Sequence, residues 1–352
     1  MIHPEFKLNG QSFSTVQALE DFARNWTLVS GENRLIGEFI LEWLNTDDFI
    51  QVKTSGSTGT PKLMTLQKQH VQNSARATVD YFQLFENTKA LLCMSSEYIA
   101  GKMMLVRAMT AGWDLYAVEP TKNPLKNATT EFDFTAMVPY QVFHAIDDLH
   151  KVKKIIIGGG VIPQKLENQL QAIDTLAFAT YGMTETISHI AARAVNGKQR
   201  STVFTALPHV EFSQTPEGCL KISAPFIAEE IQVTNDVVEL VSPTEFRFLG
   251  RIDNVINTGG VKMYPEAIEQ KLSAFIEKPF FIASEKDDAL GERIILVVED
   301  KTELNFSHFS EAFESLSAYE RPKKIYTLPN FIYTDTEKIK RIEVLQLIQN
   351  MK

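Results

Sequence analysis

Thr54-Ser55-Gly56-Ser57-Thr58-Gly59-Thr60-Pro61-Lys62 gathers hydroxyls, glycines and a lysine into one short stretch. The alternating segment Phe49-Ile50-Gln51-Val52 precedes it. Gln67 to Phe82 follows, with Val71, Ala75, Val79 and Phe82 at helical spacing. A polar, glycine-rich loop therefore leaves a strand and leads towards a helix. Such a loop can wrap a polyphosphate: glycines let the backbone approach, amides and hydroxyls donate hydrogen bonds, and lysine supplies charge. It is not a Walker A loop, because Lys62 follows Pro61 and precedes Leu63 where that motif needs Gly-Lys-Ser/Thr. A surface linker has the same composition, so the stretch by itself leaves both readings open.

The rest of the chain bounds the choice. Its 352 residues suit two domains. A hydrophobic share of 44% with 22% charged residues is that of an ordinary globular protein. A net charge of −9 argues against a general nucleic-acid binder. Cys93 and Cys219 are too few for a disulfide framework, lack the Cys/His spacing of a zinc site, and have apolar neighbours that suit buried free thiols. Met1 to Gly10 carries Glu5 and Lys7 and has no apolar core, so no secretory leader is expected. No run of about 18 apolar residues suggests a membrane span. A cytoplasmic setting is the resulting default.

Ser14-Thr15-Val16-Gln17 reads as a capping box with Ser14 as cap. Val16, Leu19, Phe22, Ala23 and Trp26 then line one helix face, and Leu35, Ile36, Phe39, Ile40, Trp43 and Leu44 line a second. Beyond the loop, strand-like and helical segments alternate. Strands are expected at 89–95, 113–118, 134–138, 154–157 and 176–179, with helices at 101–111, 141–149 and 163–172. This alternation predicts an α/β fold with a largely parallel sheet flanked by helices. Ligands bind beyond the carboxyl ends of such strands. Residues 54–62, Gly158-Gly159-Gly160 and the turn at 181–186 all fall at expected strand ends. Residues 200–250 break into short alternating pieces, a small antiparallel β region. The last hundred or so residues read as a separate α+β module. A helix starts near Pro265 and buries Ile268, Leu272, Phe275 and Ile276, and the boundary is expected at Asp253.

Singly, the polar motifs have bland explanations. Gly158 to Gly160 suits a strand-to-helix turn, Glu185 a solvated turn, Asp236 a β-turn and Lys338 an exposed helix start. Together and in order they resemble the adenylate-forming superfamily, which contains acyl-CoA synthetases, peptide-synthetase adenylation domains and firefly-type luciferases. Thr54 to Lys62 is similar to its phosphate loop, and Tyr181-Gly182-Met183-Thr184-Glu185 to its Tyr-Gly-x-Thr-Glu signature. Thr234-Asn235-Asp236 resembles Thr-Gly-Asp with Asn for Gly, and Gly250-Arg251-Ile252-Asp253 the Gly-Arg-x-Asp hinge motif. Asn257 to Glu266 continues it. Thr336 to Arg341 resembles Ser/Thr-Gly-Lys-Ile-x-Arg, with Glu337 in place of glycine.

The resemblance covers residues 50 to 345 and implies roles residue by residue. Thr54, Ser55, Gly56, Ser57, Thr58, Gly59 and Lys62 would cradle the β- and γ-phosphates of ATP. Gly158, Gly159, Gly160 and Tyr181 would hold adenine. Thr184 would contact the α-phosphate, and Glu185 would ligate Mg²⁺. Asp236 and Arg251 would bind the ribose, and Lys338 would be the lysine of adenylation. Residues 1–252 would then be the ATP- and acid-binding domain and 254–352 a mobile domain hinged at Asp253. CoA would be the co-substrate, reaching the site past Gly259 and Gly260. With 53 residues before Thr54, the resemblance implies a reduced N-terminal subdomain. The short chain, Tyr181 to His189 and Gly158 to Pro163 look most like the o-succinylbenzoate–CoA ligase branch of menaquinone synthesis. That acid carries a second, unreacting carboxylate that wants a cation; Lys102, Arg107 and Arg193 are the candidates. Tyr98 stands where other members often have a histidine-containing segment. Two other readings remain: a CoA ligase for another aryl or acyl acid, and a non-catalytic nucleotide-binding protein of this fold.

Overall fold

The computed structural model describes residues 2–53, 63–333 and 339–350. The expected phosphate loop, Thr54 to Lys62, and the expected adenylation lysine, Lys338, lie outside the described residues.

A continuous parallel run comprises Lys7–Leu8, Asp114–Ala117, Lys89–Leu92, Phe132–Met137, Val152–Ile157 and Leu176–Gly182, in that spatial order. Alternate side chains of a strand face opposite sides. Leu92, Phe134 and Ile156 pack with α1 (Val16–Thr27), α2 (Glu32–Leu44), α3 (Lys68–Phe82) and α4 (Ile99–Ala111). Leu91, Cys93, Met137, Ile155 and Ile157 form a second core with residues of α5 (Pro139–His144) and α6 (Gln164–Leu170). Both faces are covered, which is why Ile155-Ile156-Ile157 is apolar throughout. The expected α/β class holds.

Three details add to or differ from the sequence reading. The antiparallel strands expected over 200–250 are present, and they belong to the main sheet. His189–Ala194 pairs antiparallel with Leu176–Gly182, and the following strands continue the same 13-stranded sheet. Second, Phe49–Lys53 is not in that sheet. It pairs antiparallel with Leu63–Gln67, with Lys53 opposite Leu63. The strand before residues 54–62 is therefore one arm of a hairpin and not a member of the parallel sheet. Ile50, Val52 and Leu66 anchor the hairpin in the core beside α1–α4. Third, the α1 cap is Thr15, whose Oγ1 accepts from Ala18 N at 3.1 Å, while Gln17 donates to Asp21 instead of closing a capping box.

A five-stranded sheet follows, built from Ile256–Thr258, Val261–Met263, Phe280–Asp287, Gly291–Glu299 and Lys324–Leu328. α7 (Pro265–Leu272) and α8 (Ser310–Glu314) cover one face through Ile268, Leu272 and Phe313. α9 (Arg341–Asn350) covers the other through Val344 and Ile348. Pro265 starts α7 as expected. Phe275 does not bury, at 43% exposure, because α7 ends at Leu272 and the helical period stops there.

Among the described residues no helix is long and apolar enough to cross a membrane. Both cysteines are buried and free, and burial pushes the Cys93 thiol up to about 12. Thiols react as thiolates, so near pH 8 iodoacetamide is expected to label neither cysteine in native protein and both in guanidinium. Intact-mass spectrometry reads this directly, and fast native labelling would place a thiol at the surface.

Candidate active site

Strands Val152–Ile157 and Leu176–Gly182 run side by side, and Gly158 follows the end of the first. A Cβ on Gly158 would lie 2.8 Å from Thr180 Oγ1, so the glycine run begins against the start of the Tyr181 turn. The Tyr181 hydroxyl donates to Asp236 Oδ2 at 2.5 Å, and Arg251 Nε lies 3.3 Å from Asp236 Oδ1. Asp236 and Arg251 are direct partners across their strands. Burial first, and then the Asp236 carboxylate, raise the Tyr181 pKa, keeping it a neutral donor. Residues 158, 181, 236 and 251, far apart in sequence, thus converge at one sheet end. This is the place where a parallel sheet leaves a crevice for a ligand.

The signature turn is held from within. A Cβ on Gly182 would lie 2.3 Å from Ser188 O, so only glycine fits there. Thr186 is buried, and its Oγ1 accepts from Met183 N at 3.0 Å. Ile187 has φ +66°, a costly conformation for a β-branched residue, and it persists because the turn around it is fixed. Thr184 and Glu185 begin the single turn Thr184–Thr186, with Glu185 exposed.

The segment at Asp253 is gripped from two sides. Asn235 Nδ2 donates to Asp253 Oδ2 at 3.1 Å, and Arg251 Nη2 lies 3.8 Å from the same oxygen. From α7, Glu266 accepts from Arg251 N at 3.3 Å and from Asn254 Nδ2 at 2.5 Å. Asn235, which departs from the glycine of the motif, therefore supplies a side-chain contact that glycine lacks. Gly259 and Gly260, with φ +57° and +82°, form the two-residue turn joining Ile256–Thr258 to Val261–Met263. That turn requires positive φ at both positions.

The three candidate cations separate cleanly. Lys102 pairs with Glu42 at 3.0 Å and donates to Gln51 O at 3.0 Å, tying α4 to α2 and the hairpin. Arg193 forms a two-pronged pair with buried Glu167 at 3.2 and 3.1 Å. The structure commits both charges to internal partners. Arg107 is 2% exposed and has no acidic partner among the described residues. Its Nη2 donates to Ser188 Oγ at 2.9 Å, and its Nε is buried with no hydrogen-bond partner. Burial brings its pKa down to about 9, which leaves it charged at neutral pH. Tyr98 stands just before α4 at 44% exposure. Sequence reasoning missed His189 as a partner of Arg107, together with Ser74 and Thr78, which contact Ser188 and His189 behind it. The signal was available: Ser74 and Thr78 interrupt the apolar stripe of α3 four residues apart.

A family described as AMP-binding enzyme matches residues 22–214, more than half of the chain. The chain belongs to the AMP-binding enzyme family. Among its relatives, the 2-succinylbenzoate–CoA ligase of Escherichia coli (strain K12) is 24% identical over 334 residues, covering 90% of this chain and 72% of that protein. The namesake of Lactococcus lactis subsp. lactis is 23% identical, covering 83% of this chain and 70% of its own length. Among solved structures, an acyl-CoA synthetase (AMP-forming)/AMP-acid ligase II-like protein from Dyadobacter fermentans is 33% identical, with a TM-score of 0.64. The match covers 94% of this chain and 98% of that one. The O-succinylbenzoate coenzyme A synthetase of Bacillus subtilis, in complex with ATP and magnesium ion, is 18% identical at a TM-score of 0.72. It covers 84% of this chain and 69% of that one, and it shows the shared fold. The matched span includes Gly158 to Gly160 and the turn from Tyr181 to Glu185.

Proposed function

We propose that this AMP-binding enzyme joins o-succinylbenzoate to CoA through an acyl-adenylate, releasing pyrophosphate and then AMP. The observation that carries the choice of acid is Arg107, a buried guanidinium without a carboxylate partner among the described residues, held against Ser188 beside the signature turn. An acid with a second, unreacting carboxylate supplies that partner. The names of the relatives support the same acid.

Adenine binds at Gly158 to Gly160 and Tyr181, and Asp236 with Arg251 takes the ribose hydroxyls. Thr54 to Lys62 holds the β- and γ-phosphates, and Thr184 meets the α-phosphate. Among the described residues no three His, Cys, Asp or Glu side chains cluster as a metal cage. That suits Mg²⁺, which commonly uses one or two carboxylates plus substrate phosphates; Glu185 would be its ligand here. When bound, the ion would neutralise charge on the phosphate oxygens. A carboxylate oxygen of the acid attacks the α-phosphorus, and the bond to pyrophosphate breaks. Lys338 and fixed donors stabilise the charge that develops on the phosphoryl oxygens. The CoA thiolate then attacks the acyl carbon, and AMP leaves with the bonding pair. Residues 254–352 rotate about Asp253 relative to residues 1–252 between the steps, bringing Gly259 and Gly260 to the CoA path. A cytoplasmic setting agrees with two free, buried thiols.

The test is a panel of acids with ATP, Mg²⁺ and CoA, following pyrophosphate release. Turnover is expected with o-succinylbenzoate and little with simple fatty acids. The opposite preference would overturn the assignment of the acid. Nucleotide binding without turnover of any acid would favour a non-catalytic protein.

A further inference from the structure

Arg107 is surrounded by neutral groups in a defined order. Thr78 Oγ1 donates to Ser74 O at 3.2 Å, the usual back-bond of a helical threonine. With its only hydrogen used, the Thr78 oxygen can only accept at its next contact. That contact is His189 Nε2 at 3.3 Å, so Nε2 carries the ring proton. Nδ1 is then a lone pair, and it faces Arg107 Nη2 at 3.5 Å. Arginine has no acceptor, so this single tautomer satisfies both ends, and the other would set N–H against N–H. The second Nη2 hydrogen goes to Ser188 Oγ at 2.9 Å, and Ser188 Oγ lies 3.3 Å from Ser74 Oγ. Arg107 Nη1 meets Met104 Sδ at 3.8 Å. Among the described residues, every hydrogen-bonding neighbour of Arg107 accepts without carrying negative charge.

We propose that Ser74, Thr78 and His189 form a relay that positions the Arg107 guanidinium with uncharged acceptors only, reserving its charge for the second carboxylate of the acid. This rests on the reading of Arg107 given above and assigns the residues that make it work. Burying a charge without a counter-ion is costly. A carboxylate on His189's side would remove that cost and also cancel the anion site. The neutral imidazole avoids both a second cation and an internal anion. Burial and the Arg107 charge both lower the His189 pKa, which keeps the ring uncharged. His189, Thr78 and Ser74 are positioning residues, because they act through Arg107.

The experiment compares KM and kcat for o-succinylbenzoate and for its analogue lacking the second, unreacting carboxylate. The proteins are wild type, Arg107→Met, His189→Leu, His189→Asn and Thr78→Val. His189→Leu is expected to raise KM for the diacid about tenfold, the loss of one charge-assisted hydrogen bond, with little change for the analogue. His189→Asn, whose carbonyl can accept from Arg107 and whose amide can donate to Thr78, is expected to recover most of the preference. Thr78→Val should fall between the two. It also carries the test if His189→Leu does not fold. If Arg107→Met abolishes the preference while the His189 and Thr78 variants keep it, the relay is wrong and the Arg107 reading stands. If wild type and Arg107→Met show no preference for the diacid, the underlying reading fails. If His189→Leu and Thr78→Val impair both acids equally, their role is structural and the proposal is overturned.

Discussion

Replacement of Lys338 by alanine is expected to slow acyl-adenylate formation by about 10²–10³-fold, the cost of removing one fixed donor from a developing charge. Thioester formation from preformed acyl-adenylate is expected to change by less than about threefold, because that step develops no charge at the lysine. The described residues give this split a mechanical basis. Ile339, the next residue, pairs with Tyr333, and Lys340 N donates to Ile332 O at 2.8 Å. Arg341 then donates to Glu269 Oε2 at 2.8 Å, and Glu269 Oε1 accepts from Ile282 N. Glu269 lies on α7, three residues after Glu266, which grips Arg251 and Asn254. One helix thus holds both the flank of Lys338 and the segment around Asp253. Rotation at Asp253 would then displace the lysine together with α7. Pyrophosphate release on mixing ATP and acid reads the first half-reaction. AMP release from synthetic acyl-adenylate and CoA reads the second. Equal losses in both would contradict the role given to Lys338.

The sequence carried most of the fold, because that is encoded locally. Ile155-Ile156-Ile157 followed by three glycines can be little else than a buried strand and its turn. Tyr181 to Glu185 and Gly250 to Asp253 are contiguous motifs that the fold brings to one sheet end through the Tyr181–Asp236–Arg251 contacts. What escaped was set by tertiary pairing. His189–Ala194 is alanine-rich and weakly strand-forming, and it is a strand because Leu176–Gly182 lies beside it. Leu63–Gln67 is short, and its pairing with Phe49–Lys53 moves the first arm out of the parallel sheet. The cations were equally opaque. Lys102, Arg107 and Arg193 look alike in a sequence, and only the positions of Glu42 and Glu167 distinguish them.

That distinction yields opposite signs for two similar substitutions. Arg107→Met removes a charge that is buried without a counter-ion among the described residues and puts an apolar chain of comparable reach among Met104 and its neighbours. Thermal unfolding is expected to move up by a few degrees, since an uncompensated buried charge is relieved. KM for o-succinylbenzoate is expected to rise by about 100-fold, the value of a charge-assisted pair of hydrogen bonds in a dry site. Arg193→Met should do the reverse. It leaves buried Glu167 with only Arg200, 3.8 Å away, in place of its two-pronged partner, at a cost of about 2 kcal/mol, and should leave KM for the acid unchanged. Calorimetry and steady-state kinetics on the two variants give four readings, and all four signs are expected. A destabilised Arg107→Met with unchanged KM would mean that its charge serves the core. The buried Nε and the neutral ring of His189 would then need a different explanation. A gain in stability together with a loss of affinity is the signature of a residue kept strained for its ligand.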